Sequence, residues 1–162
     1  MAVIQMSYKG YRMNSLTMLL PDKKASSYNA LWLLQDGNFC AEEYLYGTKL
    51  KELCKEEPWY VICISLGNHA EYKNRSKESH ADWEDYVTVY LWNLLHQMFP
   101  ELPCEAGKNY IGGAGNGGEG ALKLCKAHPD KYGRGYKLGE KENIDWNEID
   151  IELKKILEGT GI

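Results

Sequence analysis

Two short runs without a polar residue constrain the fold most. Ala30-Leu31-Trp32-Leu33-Leu34 and Val61-Ile62-Cys63-Ile64 are apolar at every position. A strand sends successive side chains to opposite faces, so a run without alternation suits a strand covered on both sides. That is the situation of a parallel sheet flanked by helices. Each run ends in a polar turn: Gln35-Asp36-Gly37-Asn38 after the first, Ser65-Leu66-Gly67-Asn68 after the second. Upstream, Val3, Ile4, Met6 and Tyr8, then Leu16, Met18, Leu19 and Leu20, alternate in a β-like manner as far as the Pro21-Asp22 turn.

Helical patterns lie between the strands. Leu45, Leu50, Leu53 and Cys54 have helical spacing, with Pro58 beyond the end. Trp83, Tyr86, Val87, Tyr90, Leu91, Leu94, Leu95 and Met98 recur at steps of three and four; Asp82 is placed to cap this helix and Pro100 to end it. Asn109-Tyr110-Ile111-Gly112 reads as a short strand running into a glycine-rich turn, followed by a helix from Gly120 to Lys126 that stops before Pro129. A last helix runs from about Asp145, with Ile149, Leu153, Ile156 and Leu157 as its apolar stripe. Strands alternating with helices predict an α/β fold with a mostly parallel sheet. We read residues 1–162 as one domain, with a core over 1–132, a polar connection over 133–143 and a C-terminal helix over 144–162.

Composition excludes several classes. The net charge is −4 and the basic residues are scattered among acids, which gives no nucleic-acid footprint. No apolar run approaches the roughly 20 residues of a membrane span, and the N-terminus lacks the apolar core of a secretion signal; a cytoplasmic location is the expectation. Cys40, Cys54, Cys63, Cys104 and Cys125 are odd in number and form no C-x-x-C pair, so they read as reduced thiols. No cluster has metal-ligand spacing, and no cofactor is expected.

The glycine turn carries the functional question. Glycine permits positive φ and close backbone approach, and a following helix N-terminus offers free N–H groups to an anion. Gly113-x-Gly115-x-x-Gly118 matches a dinucleotide-binding pattern, but it follows a late strand, and no acidic residue ends a following strand at the required spacing. Gly113-x-Gly115-x-Gly117 also matches the frame of a nucleophile elbow, G-x-S-x-G, without its serine. A pocket that binds without chemistry would use the same N–H groups, and a turn with no ligand is the plain alternative.

Taken together, the motifs resemble the putative esterase family of α/β hydrolases, the group of esterase D, S-formylglutathione hydrolase and tributyrin-esterase-like proteins. Leu31-Trp32-Leu33-Leu34-Gln35-Asp36-Gly37 is similar to the family's strand and oxyanion loop, usually Leu-Leu-His-Gly. Ser65-Leu66-Gly67-Asn68 with Tyr72 and Asn74, and Asp82-Trp83-Glu84-Asp85-Tyr86 with Met98-Phe99-Pro100, resemble the segments that follow. Tyr110 to Leu124, then His128-Pro129-Asp130, resembles the family's Gly-Leu-Ser-Met-Gly-Gly-Tyr-Gly-Ala stretch and helix end. The likeness covers roughly Ala2 to Tyr132. A weaker one relates Asn143-Ile144-Asp145-Trp146 to the terminal Gly-x-His-Asp-Trp segment, which implies that a central block is missing and the domain is shortened.

The resemblance implies a serine–histidine–acid triad that hydrolyses small acyl esters. In this chain the serine position is Gly115 and the histidine position Ile144, and Gln35-Asp36 stands where His-Gly is usual. What remains is the elbow frame (Gly113, Gly115, Gly117, Gly118) and the oxyanion pocket formed by Gln35, Asp36, Gly37 and the N–H of Asn116. Asp36 would set a negative charge against a developing oxyanion. The expectation is therefore an esterase-lineage domain with its own activity lost or weak, the alternative a binding or assembly module. No replacement nucleophile stands out: Ser65 reads as a loop hydroxyl, His69 and His80 as solvent-facing, His96 as late on a helix, His128 as a helix stop, Cys63 and Cys125 as core. The expected partner is a small acyl ester or related molecule. If later strands are absent, the strand at Tyr110 becomes an open sheet edge, a route to homo-oligomers.

Overall fold

Both apolar runs lie at the centre of a sheet. The computed structural model describes residues 2–7, 15–37, 39–66, 72, 83–139 and 144–159. Among them, β1 (Val3–Ser7), β2 (Ser15–Leu19), β3 (Asn29–Leu34), β4 (Trp59–Ser65), β5 (Asn109–Gly113) and β6 (Arg134–Lys137) form one sheet in the order β1-β2-β4-β3-β5-β6. β1 and β2 pair antiparallel, as do β2 and β4; β4, β3, β5 and β6 are parallel. The fold is the expected α/β class.

Each face of the sheet has its own core. Ala30, Trp32 and Leu34 of β3 join Ile62, Ile64 and Ile111 on one side. Leu31 and Leu33 join Val61 and Cys63 on the other. α1 (Glu43–Tyr46), α2 (Leu50–Glu56) and α6 (Trp146–Leu157) cover the second face through Tyr44, Leu50, Ile149, Leu153 and Leu157. The first face is covered by α5 (Asn116–Ala127) and by a long helical rod comprising α3 (Trp83–Asp85), a π-helical stretch Tyr86–Leu91 and α4 (Trp92–Met98). The heptad-like pattern from Trp83 to Met98 predicts one regular helix. The rod departs from it where the Thr88 hydroxyl donates to the Glu84 carbonyl at 2.8 Å. A side chain bonded into the helix ladder is a recognised cause of such local rewinding. Asp82, the expected cap, lies outside the described residues.

Two expectations need correction. α5 begins at Asn116, four residues before the predicted start, because its first turn is anchored by the strand it leaves: Gly117 N–H and Gly118 N–H both donate to the Ala114 carbonyl, at 2.9 and 3.4 Å. And β5 is not a sheet edge. β6, inside the segment read as a polar connection, pairs with it from Tyr110↔Arg134 to Gly113↔Lys137. Gly135 lets β6 lie against α5, since a Cβ there would sit 2.9 Å from the Cys125 Cβ. Tyr136 covers Gly112 and stacks on Tyr110 at 6.2 Å. As an outer strand of four residues β6 needs little apolar character, so composition hid it.

Candidate active site

The parallel strands end together. Leu34 pairs with Ile64 on one side and Gly113 on the other, so the loops after β3 and β5 emerge side by side. The chain leaves β3 toward α1 and α2 on one face, and leaves β5 into α5 on the other. A crevice at the carboxyl ends of strands, where connections diverge to opposite faces, is the usual ligand site of an open α/β sheet.

At that point the backbone makes a sharp elbow. Gly115 has φ +56° and ψ −124°, a conformation that side-chain-bearing residues seldom adopt, and Asn116 opens α5 directly after it. The glycine frame has a steric cause as well. A Cβ on Gly117 would fall 2.2 Å from the Leu34 carbonyl oxygen, and one on Gly113 would fall 2.6 Å from the backbone of Gly117. α5 therefore sits against the end of β3 with no room for side chains between.

Asp36 occupies the elbow. Its Oδ1 accepts the Asn116 N–H at 2.9 Å, and the residue is 1% exposed. A Cβ built on Gly115 would lie 2.7 Å from that same oxygen and 3.0 Å from the carboxyl carbon. The carboxylate stands in the space a side chain at 115 would need. It also meets the positive end of the α5 dipole, which stabilises a negative charge there.

The loop that presents Asp36 is braced on three sides. The Gln35 amide nitrogen donates to the Asp36 and Phe39 carbonyls at 3.3 and 3.2 Å, while its oxygen accepts the Leu66 N–H. The Tyr72 hydroxyl donates to the Gln35 carbonyl, and the Tyr72 ring lies so close to α5 that a Cβ on Gly120 would fall 2.6 Å from it. The Tyr44 hydroxyl donates to the Leu34 carbonyl at 2.7 Å and accepts the Ala114 N–H at 2.8 Å, clipping β3 to the elbow. Burial raises the Tyr44 and Tyr72 phenols far above their ordinary value, so both remain neutral hydrogen-bonding groups. Tyr44 is the site residue that sequence reading missed: it makes contacts at separations of 10 and 70 residues, with no local signal.

The remaining candidates that the structure describes lie apart from the elbow or are held by backbone groups. Ser65 is the last residue of β4, not a loop hydroxyl; its Oγ accepts the Ala41 N–H at 2.9 Å and it is buried. Burial pushes the Cys63 thiol up strongly and the Cys54 thiol up to about 12, so neither offers a thiolate near neutrality. Cys125 is half-buried, with its thiol also raised by burial; Cys40 and Cys104 are exposed, and all five are free thiols. His96 places its ring nitrogens at the Trp92 and Pro103 carbonyls, 2.6 and 2.9 Å away, and its ring lies tilted against that of Trp92, with centroids 4.4 Å apart. His128 Nε2 meets Glu84 Oε1 at 2.8 Å. His69 and His80 lie outside the described residues. Ile144 packs with the apolar cluster that contains Tyr44 and Ala114. Gly37 is an open turn with nothing within 4 Å of where its Cβ would be. Among the described residues no group of three His, Cys, Asp or Glu side chains is placed to hold a metal ion, and no helix is long and apolar enough to cross a membrane.

A sheet of this order, with a positive-φ elbow opening a helix beside the loop after β3, defines an α/β-hydrolase domain. The chain belongs to the Putative esterase family, whose model matches residues 11–136. Solved structures with the same fold include an S-formylglutathione hydrolase from Staphylococcus aureus (24% identity, TM-score 0.65, 81% of this chain and 54% of that one). Another is a fluorophosphonate-binding serine hydrolase from the same organism (20% identity, TM-score 0.68, 99% of this chain and 76% of that one). A third is an S-formylglutathione hydrolase from Agrobacterium tumefaciens (16% identity, TM-score 0.68, 94% and 63%). The chain thus spans about half the length of the first of these. No curated protein sequence matches it.

Proposed function

We propose that this chain is a non-hydrolytic member of the esterase lineage: it keeps the elbow of a carboxylic-ester hydrolase and uses it for structure instead of acyl transfer. One observation carries the reading. The volume a nucleophile's Cβ would fill at position 115 is held by the Asp36 carboxylate, 2.7 Å from where that Cβ would stand. Glycine has no hydroxyl to attack a carbonyl, and Ile144, at the position the resemblance gives to histidine, cannot carry a proton. Of the groups left to receive an oxyanion, the Asn116 N–H already donates to the Asp36 carboxylate. An ester carbonyl arriving there would meet repulsion where a hydrolase supplies stabilisation. The same charge opposes a dinucleotide pyrophosphate at Gly113 to Gly118, and equally a small-molecule acid in the elbow.

Hydrolysis of p-nitrophenyl acetate and butyrate tests the reading, with Gly115→Ser as comparison. The expected result is no turnover above a heat-denatured control for either protein, because the serine variant still has Ile144 at the position the resemblance gives to the triad histidine. Saturable turnover by the unmodified chain would overturn it.

A further inference from the structure

We propose that Asp36 is a resident product mimic: its carboxylate holds the anion hole as the carboxylate of a released acid would, and shuts that hole to external acids. The inference rests on the reading of Gly115 and Asn116 as an esterase elbow, and adds what fills it.

Three features of the geometry point the same way. The bond from Asn116 N–H to Asp36 Oδ1, at 2.9 Å, is charge-assisted and is made by the first residue of a 12-residue helix. Asp36 is buried, and a carboxylate leaves water only where donors receive it. The absence of a side chain at 115 is what lets it in, given the 2.7 Å separation. Asp36 also cannot leave by a simple swing of its loop, because Gln35, Tyr72 and Tyr44 tie the backbone on either side to Leu66, Phe39 and Ala114. The hole is therefore opened by removing the carboxylate and not by moving the loop. Once emptied, it has the size and polarity for a one-carbon carboxylate.

Formate is the probe. Thermal unfolding of the unmodified chain, Asp36→Ala and Asp36→Asn is followed in sodium formate against sodium chloride at equal ionic strength. Asp36→Ala should unfold several degrees below the unmodified chain and regain part of that loss saturably with formate. The unmodified chain and Asp36→Asn, in which the space stays filled, should show no formate-specific shift. An equal formate shift in the unmodified chain, or none in Asp36→Ala, overturns the proposal. Should Asp36→Ala fail to fold, hydrogen exchange of the Asn116 amide in the unmodified chain decides: slow exchange supports a held bond, and exchange at the rate of an unstructured amide overturns it. The two readings fail separately. Ester turnover would sink the proposed function and leave the formate result standing; formate binding by the unmodified chain would sink the mimic and leave the absence of turnover standing.

Discussion

Serine at position 115 and a carboxylate at position 36 exclude each other, and the size of the conflict can be worked out. A Cβ on residue 115 would stand 2.7 Å from Asp36 Oδ1 and 3.0 Å from its carboxyl carbon, so the carboxylate must rotate away. Rotation breaks its bond to the Asn116 N–H, a charge-assisted bond worth about 1.5–3 kcal/mol. A non-glycine residue at φ +56° adds about 1–3 kcal/mol of backbone strain. Gly115→Ser should therefore destabilise by about 2.5–6 kcal/mol, or about 5–24 °C in Tm for a domain of this size. Asp36→Ala loses the same bond, at a cost of about 1.5–3 kcal/mol. In the double variant the bond is lost once and the clash is gone, so its cost should fall short of the summed single costs by about 1.5–3 kcal/mol. Urea unfolding of the four proteins measures this coupling. Additivity within about 0.5 kcal/mol, the range of independent sites, would refute the steric and electrostatic link.

Other consequences are as direct. Tyr44→Phe leaves the Ala114 N–H and the Leu34 carbonyl without their hydroxyl, and should cost about 1–3 kcal/mol by urea unfolding. Gly117→Ala sets a Cβ 2.2 Å from a backbone carbonyl oxygen that cannot give way, and should cost more than about 3 kcal/mol, whereas Gly37→Ala meets nothing within 4 Å and should stay within about 0.5 kcal/mol. Alkaline pH should destabilise the fold. The buried Cys54 and Cys63 thiols keep their protons to higher pH than in the unfolded chain, so above the ordinary thiol value of 9.0 the folded state binds more protons than the unfolded one. Stability should then fall by up to about 1.4 kcal/mol per pH unit per thiol, a window that closes near pH 12 for Cys54. Unfolding midpoints between about pH 8 and about pH 10.5 that hold steady or rise would contradict this.

The parts of the fold legible in the sequence were those where packing dictates residue type locally. Ala30 to Leu34 and Val61 to Ile64 are apolar throughout because both faces of β3 and β4 are covered. The elbow was legible because Gly113, Gly115 and Gly117 answer to steric demands of one short turn. β6 was not, since an outer strand of four residues is under no pressure to be apolar. Nor was the π-helical stretch, which falls where the Thr88 hydroxyl returns to the Glu84 carbonyl. The site was half legible. Asp36 stood out as the wrong charge in an oxyanion loop, but its bond to Asn116 spans 80 residues and exists only once β3 and β5 are paired. Tyr44 gave no sign at all, because its partners are backbone groups brought to it by the sheet.

Under the proposed function, the elbow carries no activated nucleophile. Incubation of the purified chain with a fluorophosphonate, followed by intact-mass analysis, tests it most directly. Such reagents form a covalent bond with a serine only where its hydroxyl is activated and an oxyanion site is open to receive the phosphoryl oxygen. An unchanged mass is expected under conditions that label an active serine hydrolase to completion. A stoichiometric adduct mapped to a residue of the elbow or of the loop after β3 would overturn it.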